Sequence, residues 1–295
     1  MDQPAVTVGV VDIGTNSMRL LITGRGGEVG RWVEVTGLGR GVDSNGWLGE
    51  PEIARTIDCL ARFGELMDRH GVTERAAMAT SATRDASNRE ELLDRAEKAL
   101  GTRPEVISGE REGALAYAGA TAELATDTVW VVSDIGGGST EFVTGAGTVS
   151  VDIGSVRLTD RILERRPAPA DDMEEALAQV RGLFAPVRVS GELVGVAGTW
   201  TSMAAIDLGL EEYETERVHH HRMTRESVEG LAWHLAGLTV DETAAIPSLD
   251  PGRAPVILAG AVIAVVVLET AGADEVIVSE QDTLDGLARE LLAVP

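Results

Sequence analysis

Asp134-Ile135-Gly136-Gly137-Gly138-Ser139-Thr140-Glu141 is the stretch that decides how this chain folds, because a close copy of it occurs earlier. The earlier copy is Asp12-Ile13-Gly14-Thr15-Asn16-Ser17-Met18-Arg19, and both contain Asp-Ile-Gly-x-x-Ser in one register. Each copy follows an apolar run typical of a β-strand, at residues 6–11 and 129–132, and precedes a hairpin pattern with a glycine-rich turn. The sequence therefore repeats a strand–acidic turn–strand–turn–strand unit.

The two turns have the composition of a phosphate site. Glycines let the backbone approach a ligand closely, successive N–H groups form anion-binding nests, and an Asp at a strand end suits Mg²⁺. Two ordinary hairpins would explain either copy alone, but the duplication favours a phosphorylated ligand held with a metal between two lobes. The candidate phosphate-binding residues in the turns are Gly14, Thr15, Asn16, Ser17, Arg19, Gly136, Gly137, Gly138, Ser139 and Thr140.

Composition restricts the class of protein. A length of 295 residues suits one large domain or two smaller ones, and 44% hydrophobic residues allow a substantial core. Cys59 is the only cysteine, which excludes an internal disulfide and a Cys-rich zinc site. No secretory leader is recognisable, so a cytoplasmic protein is expected. The longest apolar run, residues 254–268, is shorter than the ~20 residues that span a bilayer, so a buried helix is expected there.

The formal net charge is −23, which argues against nucleic acid or an anionic membrane as a partner. The same charge opposes long-range attraction of a phosphate substrate, which would have to arrive coated with Mg²⁺ or meet a local cluster of Arg. The boundary between two lobes is expected at residues 122–127, just before the second repeat. This gives an N-terminal lobe of residues 1–124 and a C-terminal lobe of residues 125–295, whose last helix can return to the first lobe.

Further candidate site residues lie where predicted strands end. Arg84 falls between a strand and a helix, the edge where α/β folds bind ligands, although a surface pair with Asp85 would also explain it. Glu110 and Glu112 lie at the entrance of a helix predicted from Gly113. Their presence is explained by the general preference of acids for helix N-termini, or alternatively by a role of one carboxylate in activating water.

Two other patterns are weaker. Residues 197–202 (Ala-Gly-Thr-Trp-Thr-Ser) form a third small-residue turn into a helix, in which Gly198 and Thr199 are candidate phosphate contacts. His219, His220 and His221 are adjacent rather than four residues apart, so they fit a zinc-binding helix poorly.

Capping signals predict where several helices begin. Thr224 is a predicted N-cap, and Pro255 is placed in the first turn of the apolar helix. Pairs with the spacing of a helix cap are Ser87 with Glu90, Asp171 with Glu174 and Thr239 with Glu242.

Six motifs together make the chain resemble the exopolyphosphatase/guanosine pentaphosphate phosphohydrolase (Ppx/GppA) family, in its short actinobacterial-type form. They occupy residues 12–20, 79–88, 107–113, 134–142, 154–160 and 197–202, so the resemblance covers almost the whole chain. It implies an α/β, duplicated actin-like (ribonuclease H-like) fold with two lobes and a central cleft. The C-terminal residues 279–287 depart from a Gly-Leu-Arg-Glu-Gly-like stretch of longer members, so a contact made by that Arg is not carried over.

The resemblance also implies a reaction and roles for residues. The family hydrolyses a terminal phosphoanhydride with Mg²⁺, for which Mn²⁺ is an alternative, and its members are often homodimers. Glu112 matches the general base, and Asp134 matches the acid tied to metal and water. Glu141 matches the acid that closes the second turn, and Asp12 is the third candidate metal ligand.

The expected function is therefore an exopolyphosphatase that removes the terminal phosphate of inorganic polyphosphate, with Arg84 on that phosphate. The alternative is hydrolysis of guanosine pentaphosphate (pppGpp), for which no residue identifies a guanosine pocket. Two other classes stay open: an actin-fold kinase that uses ATP in the same cleft, and a catalytically silent phosphate sensor. The charge of the chain favours short polyphosphates.

Overall fold

The computed structural model describes residues 6–293, which form two β-sheets with helices on their faces. The first sheet contains β1 (Thr7–Ile13), β2 (Ser17–Gly24), β3 (Gly27–Val35), β4 (Glu74–Ala79) and β5 (Glu105–Val106). The second contains β6 (Trp130–Ile135), β7 (Thr140–Thr144), β8 (Gly147–Val151), β9 (Glu192–Val196), β10 (Arg222–Thr224) and β11 (Glu275–Val278).

The two sheets have the same topology. The first has the order β3-β2-β1-β4-β5, and the second has β8-β7-β6-β9-β11 followed by the extra strand β10. In each sheet, two antiparallel hairpins are followed by parallel strands. This is the ribonuclease H-like order, present twice, so the duplicated actin-like fold expected from the sequence is confirmed.

Helices cover both sheets. The helices are α1 (Val42–Asn45), α2 (Glu50–Arg69), α3 (Ser81–Asp85), α4 (Arg89–Leu100), α5 (Gly109–Ala120), α6 (Ser155–Leu158), α7 (Ala170–Phe184), α8 (Ala197–Asp207), α9 (Thr215–Val218), α10 (Arg225–Ala236), α11 (Val240–Ala244), α12 (Ile257–Ala271) and α13 (Thr283–Ala293). A π-helical turn, Thr159–Leu163, follows α6, and a 3₁₀ turn, Pro251–Arg253, precedes α12.

The apolar run predicted as a buried helix is α12, in which all of residues 257–268 are buried. A helix that is apolar on every side is stable only inside a core. It lies in the main cluster of the second lobe, together with residues of β6, α7, α8 and α10. Among the described residues, no helix combines the length and apolarity needed to cross a membrane.

Several predicted helix starts are wrong by a few residues. The helix predicted from Gly113 begins at Gly109, so Glu112 lies inside its first turn. Residues 198–202 likewise belong to the helix α8 and not to a turn before it, while Pro255 precedes α12. The predicted caps at Thr224 and Thr239 are confirmed, the latter as a full capping box.

Two predicted caps are wrong because other residues begin those helices. The helix α4 has Asn88, not Ser87, at its N-cap, and α7 has Pro169 there, which places Asp171 in the first turn. The Asn88 side chain instead holds Leu48, accepting from its N–H at 2.9 Å and donating to its carbonyl at 3.0 Å. The Asn88 side chain therefore makes a tertiary contact and forms no cap hydrogen bond with its own helix.

Two helices lie between the sheets and cross from one lobe to the other. The helix α5 follows the first sheet in sequence, but its Ala116 and Ala120 pack with Val132 and Val196 of the second sheet. The helix α13 ends the described chain, and its Leu284 packs in one cluster with strands β1 and β2 of the first sheet. The lobe boundary expected at residues 122–127 lies in the connection between α5 and β6. The division of the chain into lobes of residues 1–124 and 125–295 stays a prediction.

Candidate active site

The two copies of the acidic turn have one backbone geometry. The N–H of Gly14 donates to the carbonyl of Ser17 at 3.2 Å, and the N–H of Gly136 donates to the carbonyl of Ser139 at 3.0 Å. A Cβ atom on Gly14 would lie 2.7 Å from that carbonyl oxygen, so the turn requires glycine. The repeat in the sequence therefore encodes the same turn once in each lobe.

The two turns face each other across a narrow cleft. A Cβ on Gly137 would lie 2.8 Å from the Cβ of Thr15, and one on Gly138 would overlap the hydroxyl of Ser81. The cleft encloses about 80 Å³. Its lining residues are Asp12, Gly14, Thr15, Asn16, Ser17, Arg19, Thr80, Ser81, Glu112, Asp134, Ile135, Gly136, Gly137, Gly138, Ser139, Ser155, Ala197, Gly198, Thr199, Arg253, Val256 and Ile257.

Most of the residues predicted for the site line this cleft, but Thr140, Glu141 and Arg84 are not among its lining residues. The Thr140 hydroxyl donates to the Ile153 carbonyl at 2.6 Å, a contact that fixes the hairpin. Arg84 donates to the Ile107 carbonyl at 2.9 Å, and its Nη1 lies 3.7 Å from Oε2 of Glu112. Arg84 therefore contacts the candidate base, and its role on a phosphate stays a prediction.

The strand-end acids have opposite partners in the two lobes. In the first hairpin the register places Arg19 opposite Asp12, and its Nε and Nη2 donate to Oδ2 of Asp12 at 2.9 and 2.7 Å. In the second hairpin the equivalent position, opposite Asp134, is Glu141. One lobe therefore neutralises its aspartate, whereas the other places a second carboxylate beside it.

Glu112 is held at the start of α5, where the Ser108 side chain accepts from the N–H of Arg111 as the N-cap. The Glu112 side chain is 13% exposed, and its Oε2 has no hydrogen-bond partner within residues 6–293. Burial, followed by repulsion from Glu141 and Asp134, raises the pKa of Glu112 well above its usual value. Such a carboxyl is tuned toward general-base chemistry near neutral pH.

The acids of the second lobe are also strongly perturbed. Burial raises the pKa of Asp134 to about 8, and repulsion by Glu141 adds to the shift. Burial likewise raises the pKa of Glu141, against the hydrogen bonds from Ser150 and Ser139 that lower it. Burial also raises the pKa of Asp12, against the pairing with Arg19 that lowers it. Four carboxyls with raised pKa values therefore lie in or beside one cleft, which makes the cleft a candidate for cation binding.

The donor set fits Mg²⁺. Within residues 6–293, no three His, Cys, Asp or Glu side chains are grouped closely enough to form a metal site by themselves. Mg²⁺ does not need such a cage, because it is usually held by one or two carboxylates, water and substrate phosphates. Oδ1 of the cleft residue Asp12 is buried without a hydrogen-bond partner in the described chain, as expected for an oxygen that serves a cation.

The histidine run lies outside this cleft. Nε2 of His221 lies 2.7 Å from Oδ2 of Asp207, and Nδ1 of His219 accepts from the N–H of Glu280 at 3.1 Å. These contacts join the α9 segment to its neighbours and explain the histidines without a metal.

Arg253 is the main residue of the cleft that the sequence patterns did not reveal. Its guanidinium lies over Gly198, where any Cβ would overlap it, and makes no hydrogen bond or ion pair with the described residues. Burial lowers the pKa of Arg253. The sequence signal for Arg253 was its position just before the fully apolar α12. An Arg at that position is also explained as a charge that flanks a buried helix.

A larger chamber of about 470 Å³ adjoins the cleft and shares Arg19, Ala197, Gly198 and Arg253 with it. Its remaining lining combines apolar and hydroxyl side chains with three acids and a further Arg. These residues are Arg31, Val33, Thr201, Ser202, Tyr213, Thr215, Pro247, Ser248, Leu249, Asp250, Glu280, Asp282 and Leu284. The turn motifs gave no sign of this chamber, because its walls come from distant segments.

Ion pairs bridge the two lobes at another side of the cleft. Arg157 of the second lobe donates to Asp85 at 2.5 Å, and its Nε lies 3.4 Å from Asp43 of the first lobe. Arg161 donates to both oxygens of Asp43 at 2.6 and 2.7 Å. The Arg84–Asp85 pair considered from the sequence is replaced by this contact between lobes.

The fold and the paired turns define the chain as a member of the actin-like class. Within that class, the Ppx/GppA phosphatase family matches residues 28–293, and the chain belongs to this family. Exopolyphosphatase 2 of Mycobacterium tuberculosis is 36% identical over 312 residues, which cover 96% of this chain and 98% of that protein.

Two crystal structures are similar along almost the whole chain. The Ppx/GppA family member of Aquifex aeolicus is 31% identical, with a TM-score of 0.81 and 98% of each chain covered. An exopolyphosphatase from Cytophaga hutchinsonii is 27% identical, with a TM-score of 0.88 and 97% of each chain covered.

Proposed function

We propose that this protein is an exopolyphosphatase, which hydrolyses the terminal phosphoanhydride of inorganic polyphosphate and releases orthophosphate. The observation that carries this proposal is Glu112, a largely buried carboxylate whose Oε2 accepts no hydrogen bond from the described chain, in the same cleft as two facing phosphate-type turns. The near full-length similarity to a protein named Exopolyphosphatase 2 supports the same substrate class.

In the proposed reaction, the chain positions substrate and water. The N–H groups at residues 15–17 and 137–139 of the two turns bind phosphate oxygens from opposite sides, and Arg253 supplies an unpaired cation. Glu112 takes a proton from the water that attacks the terminal phosphorus, while the shortened polyphosphate leaves in line. Positioning and charge neutralisation account for most of the acceleration in such phosphoryl transfers.

Asp12 and Asp134 would hold Mg²⁺, with Glu141 behind them, and the ion would supply neutralisation of charge on the phosphate oxygens. Mn²⁺ suits the same oxygen ligands. Glu141 is fully buried, so its proposed part is to set the charge around Asp134.

The substitution Glu112→Gln tests the proposal directly. It keeps the shape of the side chain but removes the base, so turnover of a short polyphosphate should fall by about 10²–10⁴-fold. Substrate affinity should stay close to that of the wild type, because Glu112 is not proposed to bind phosphate. Phosphate release with Mg²⁺ and without any nucleotide measures the turnover and also separates this enzyme from a kinase.

Glu110→Gln is the matched control, since Glu110 is an exposed acid in the same helical turn. It should retain wild-type turnover. Near-normal turnover of the Glu112 variant, or equal losses in both variants, would remove Glu112 from its role. Binding of polyphosphate by the wild type without phosphate release would favour a sensor.

Hydrolysis of pppGpp is the second candidate, and the chamber beside Arg253 is the observation that favours it. Its volume and its mixed apolar and hydroxyl lining suit a nucleoside attached to the phosphates in the cleft. Initial rates on short polyphosphate and on pppGpp, with one enzyme preparation, decide between them. A higher kcat/KM for pppGpp would make the second function the main one.

A further inference from the structure

Asp282 connects the C-terminal helix to the cleft. It immediately precedes α13, where its Oδ1 accepts from the N–H of Leu284 at 2.9 Å, and its own N–H donates to Oδ2 of Asp285 at 2.9 Å. Its other oxygen, Oδ2, accepts from Nη1 of Arg19. The side chain is only 6% exposed, so this carboxylate is an interior group with two distinct partners.

Arg19 lies between two carboxylates. Its Nε and Nη2 donate to Oδ2 of Asp12, while Nη1 donates to Asp282. The Arg19 side chain is 14% exposed and lines the cleft. Both carboxylates hold its guanidinium through Nε, Nη1 and Nη2, and the predicted contact of Arg19 with phosphate stays a prediction.

This arrangement determines which oxygen Asp12 presents. Both of the Arg19 hydrogen bonds go to Oδ2, and Oδ1 is left buried without a hydrogen-bond partner in the described chain. An Arg19 released from Asp282 would be a free cation on the wall of a phosphate cleft. It would be drawn from Asp12 toward the substrate, since Arg binds phosphate oxygens strongly.

The position of Asp282 is coupled to that of Glu112 through the backbone. A Cβ on Gly119 of α5 would overlap the carbonyl oxygen of Asp282, and a Cβ on Gly286 of α13 would overlap that of Leu115. The backbones of α5 and α13 are therefore in direct contact, and α5 is the helix that carries Glu112. Because this contact fixes the position of Asp282, the Asp282 carboxylate can orient Arg19, and Arg19 can orient Asp12.

The geometry points to Asp282 as a positioning residue for the proposed reaction: it holds Arg19 against Oδ2 of Asp12, so that Oδ1 of Asp12 is left without a hydrogen-bond partner in the described chain and can serve as a ligand. This inference rests on the proposed function of the same site. The simpler explanation is that Asp282 only caps α13. Asn and Ser cap helices about as well as Asp but carry no charge, so they separate the two explanations.

Asp282→Asn and Asp282→Ser should lower kcat on short polyphosphate by about 10–100-fold, the range found when groups that orient metal-binding carboxylates are lost. KM should fall rather than rise, because Arg19 becomes available to phosphate. Titration calorimetry in the Glu112→Gln background should accordingly find tighter binding of a short polyphosphate in Mg²⁺. Thermal unfolding should stay close to that of the wild type, since the cap is kept.

Asp285→Asn is the matched control, because Asp285 lies in the same helical turn and pairs with Arg31, not Arg19. Asparagine removes the charge but keeps an amide oxygen that can accept from the N–H of Asp282. Its kcat should match that of the wild type. In an Arg19→Gln background, Asp282→Asn should cause no further loss of kcat, because it acts through Arg19.

Equal kcat values for the Asp282 and Asp285 variants would overturn the inference, as would the same fold-loss in the presence and absence of Arg19. A raised KM or weaker calorimetric binding would do so too. Failure of the proposed function is distinguishable, because the wild type itself would then release no phosphate from polyphosphate.

Discussion

At the scale of single residues, one charge difference separates the two repeats. Arg19 and Glu141 occupy the same position of the hairpin, each opposite a strand-end aspartate. Because the backbone is the same, the difference in environment between Asp12 and Asp134 comes from side chains alone. The second lobe therefore carries most of the unfavourable negative charge, and its acids should make stability depend on pH and on cations.

The metal-free protein should lose stability as pH rises from about 4 to about 8. The pKa of Asp134 is raised to about 8 in the folded protein, so between its ordinary value and pH 8 the folded state binds the proton that the unfolded state releases. Stability falls with pH wherever the folded state binds more protons. Asp134→Asn cannot ionise, so its decline should be shallower, and its melting temperature at pH 8 in EDTA should exceed that of the wild type.

Asp127→Asn, at an exposed acid in the loop before β6, should retain the wild-type slope. Mg²⁺ should raise the melting temperature of the wild type more at pH 8 than at pH 5. At either pH, it should raise the melting temperature of Asp134→Asn less than that of the wild type. If the melting temperatures of the wild type and Asp134→Asn changed equally between pH 5 and pH 8, the assignment of the buried charge to Asp134 would be wrong.

The turn residues could be predicted because each turn is local: glycine, hydroxyl and acid spacing fix its hydrogen bonds within a few residues. Arg253 and Asp282 could not, because their roles depend on where segments distant in the sequence fold back onto the turns. Arg19 is an intermediate case. Its place beside the cleft follows from the strand register, but its carboxylate partner Asp282 lies at the other end of the chain.

At the scale of elements, the joint between the lobes is a contact of two helix backbones. The glycines at 119 and 286 leave no space for a side chain between α5 and α13. Such close approach fixes the helices relative to each other and, with them, Glu112 and Asp282. Helix existence was predictable from periodicity, but this contact was not, because a glycine inside an Ala-rich helix carries no local signal of its neighbour.

Gly119→Ala should therefore destabilise the protein, although alanine is the better helix former. Overpacking typically costs about 1–3 kcal/mol, and here the obstacle is a backbone carbonyl that cannot rotate away. Urea unfolding measures the change.

Gly182→Ala is the matched control in α7, because no atom lies within 4 Å of its added Cβ. It should raise stability by about 0.5–1 kcal/mol through helix propensity alone. Equal effects of the two substitutions would show that the α5–α13 contact yields without cost.

At the scale of the whole molecule, charge governs access to the cleft. The chain carries −23, and many of its arginines are already paired with acids outside the cleft. Examples are Arg62 with Glu34, Arg75 with Asp68, Arg95 with Glu50, Arg103 with Glu90 and Asp94, and Arg181 with Glu269. The described surface therefore offers little free positive charge. The homodimer and the cytoplasmic location stay predictions.

A long polyphosphate would need a basic track outside the cleft to remain bound between successive cuts. Here the unpaired Arg253 lies inside the cleft, and the acidic surface repels a polyanion over the ~8–10 Å that salt does not screen. We expect a distributive enzyme that prefers short chains and releases its product after each cut. Partial digestion of long-chain polyphosphate, separated on a gel, should give a smoothly shortening ladder. Full-length substrate beside free phosphate, without intermediates, would mean that the chain is held during successive cuts and that charge does not govern access.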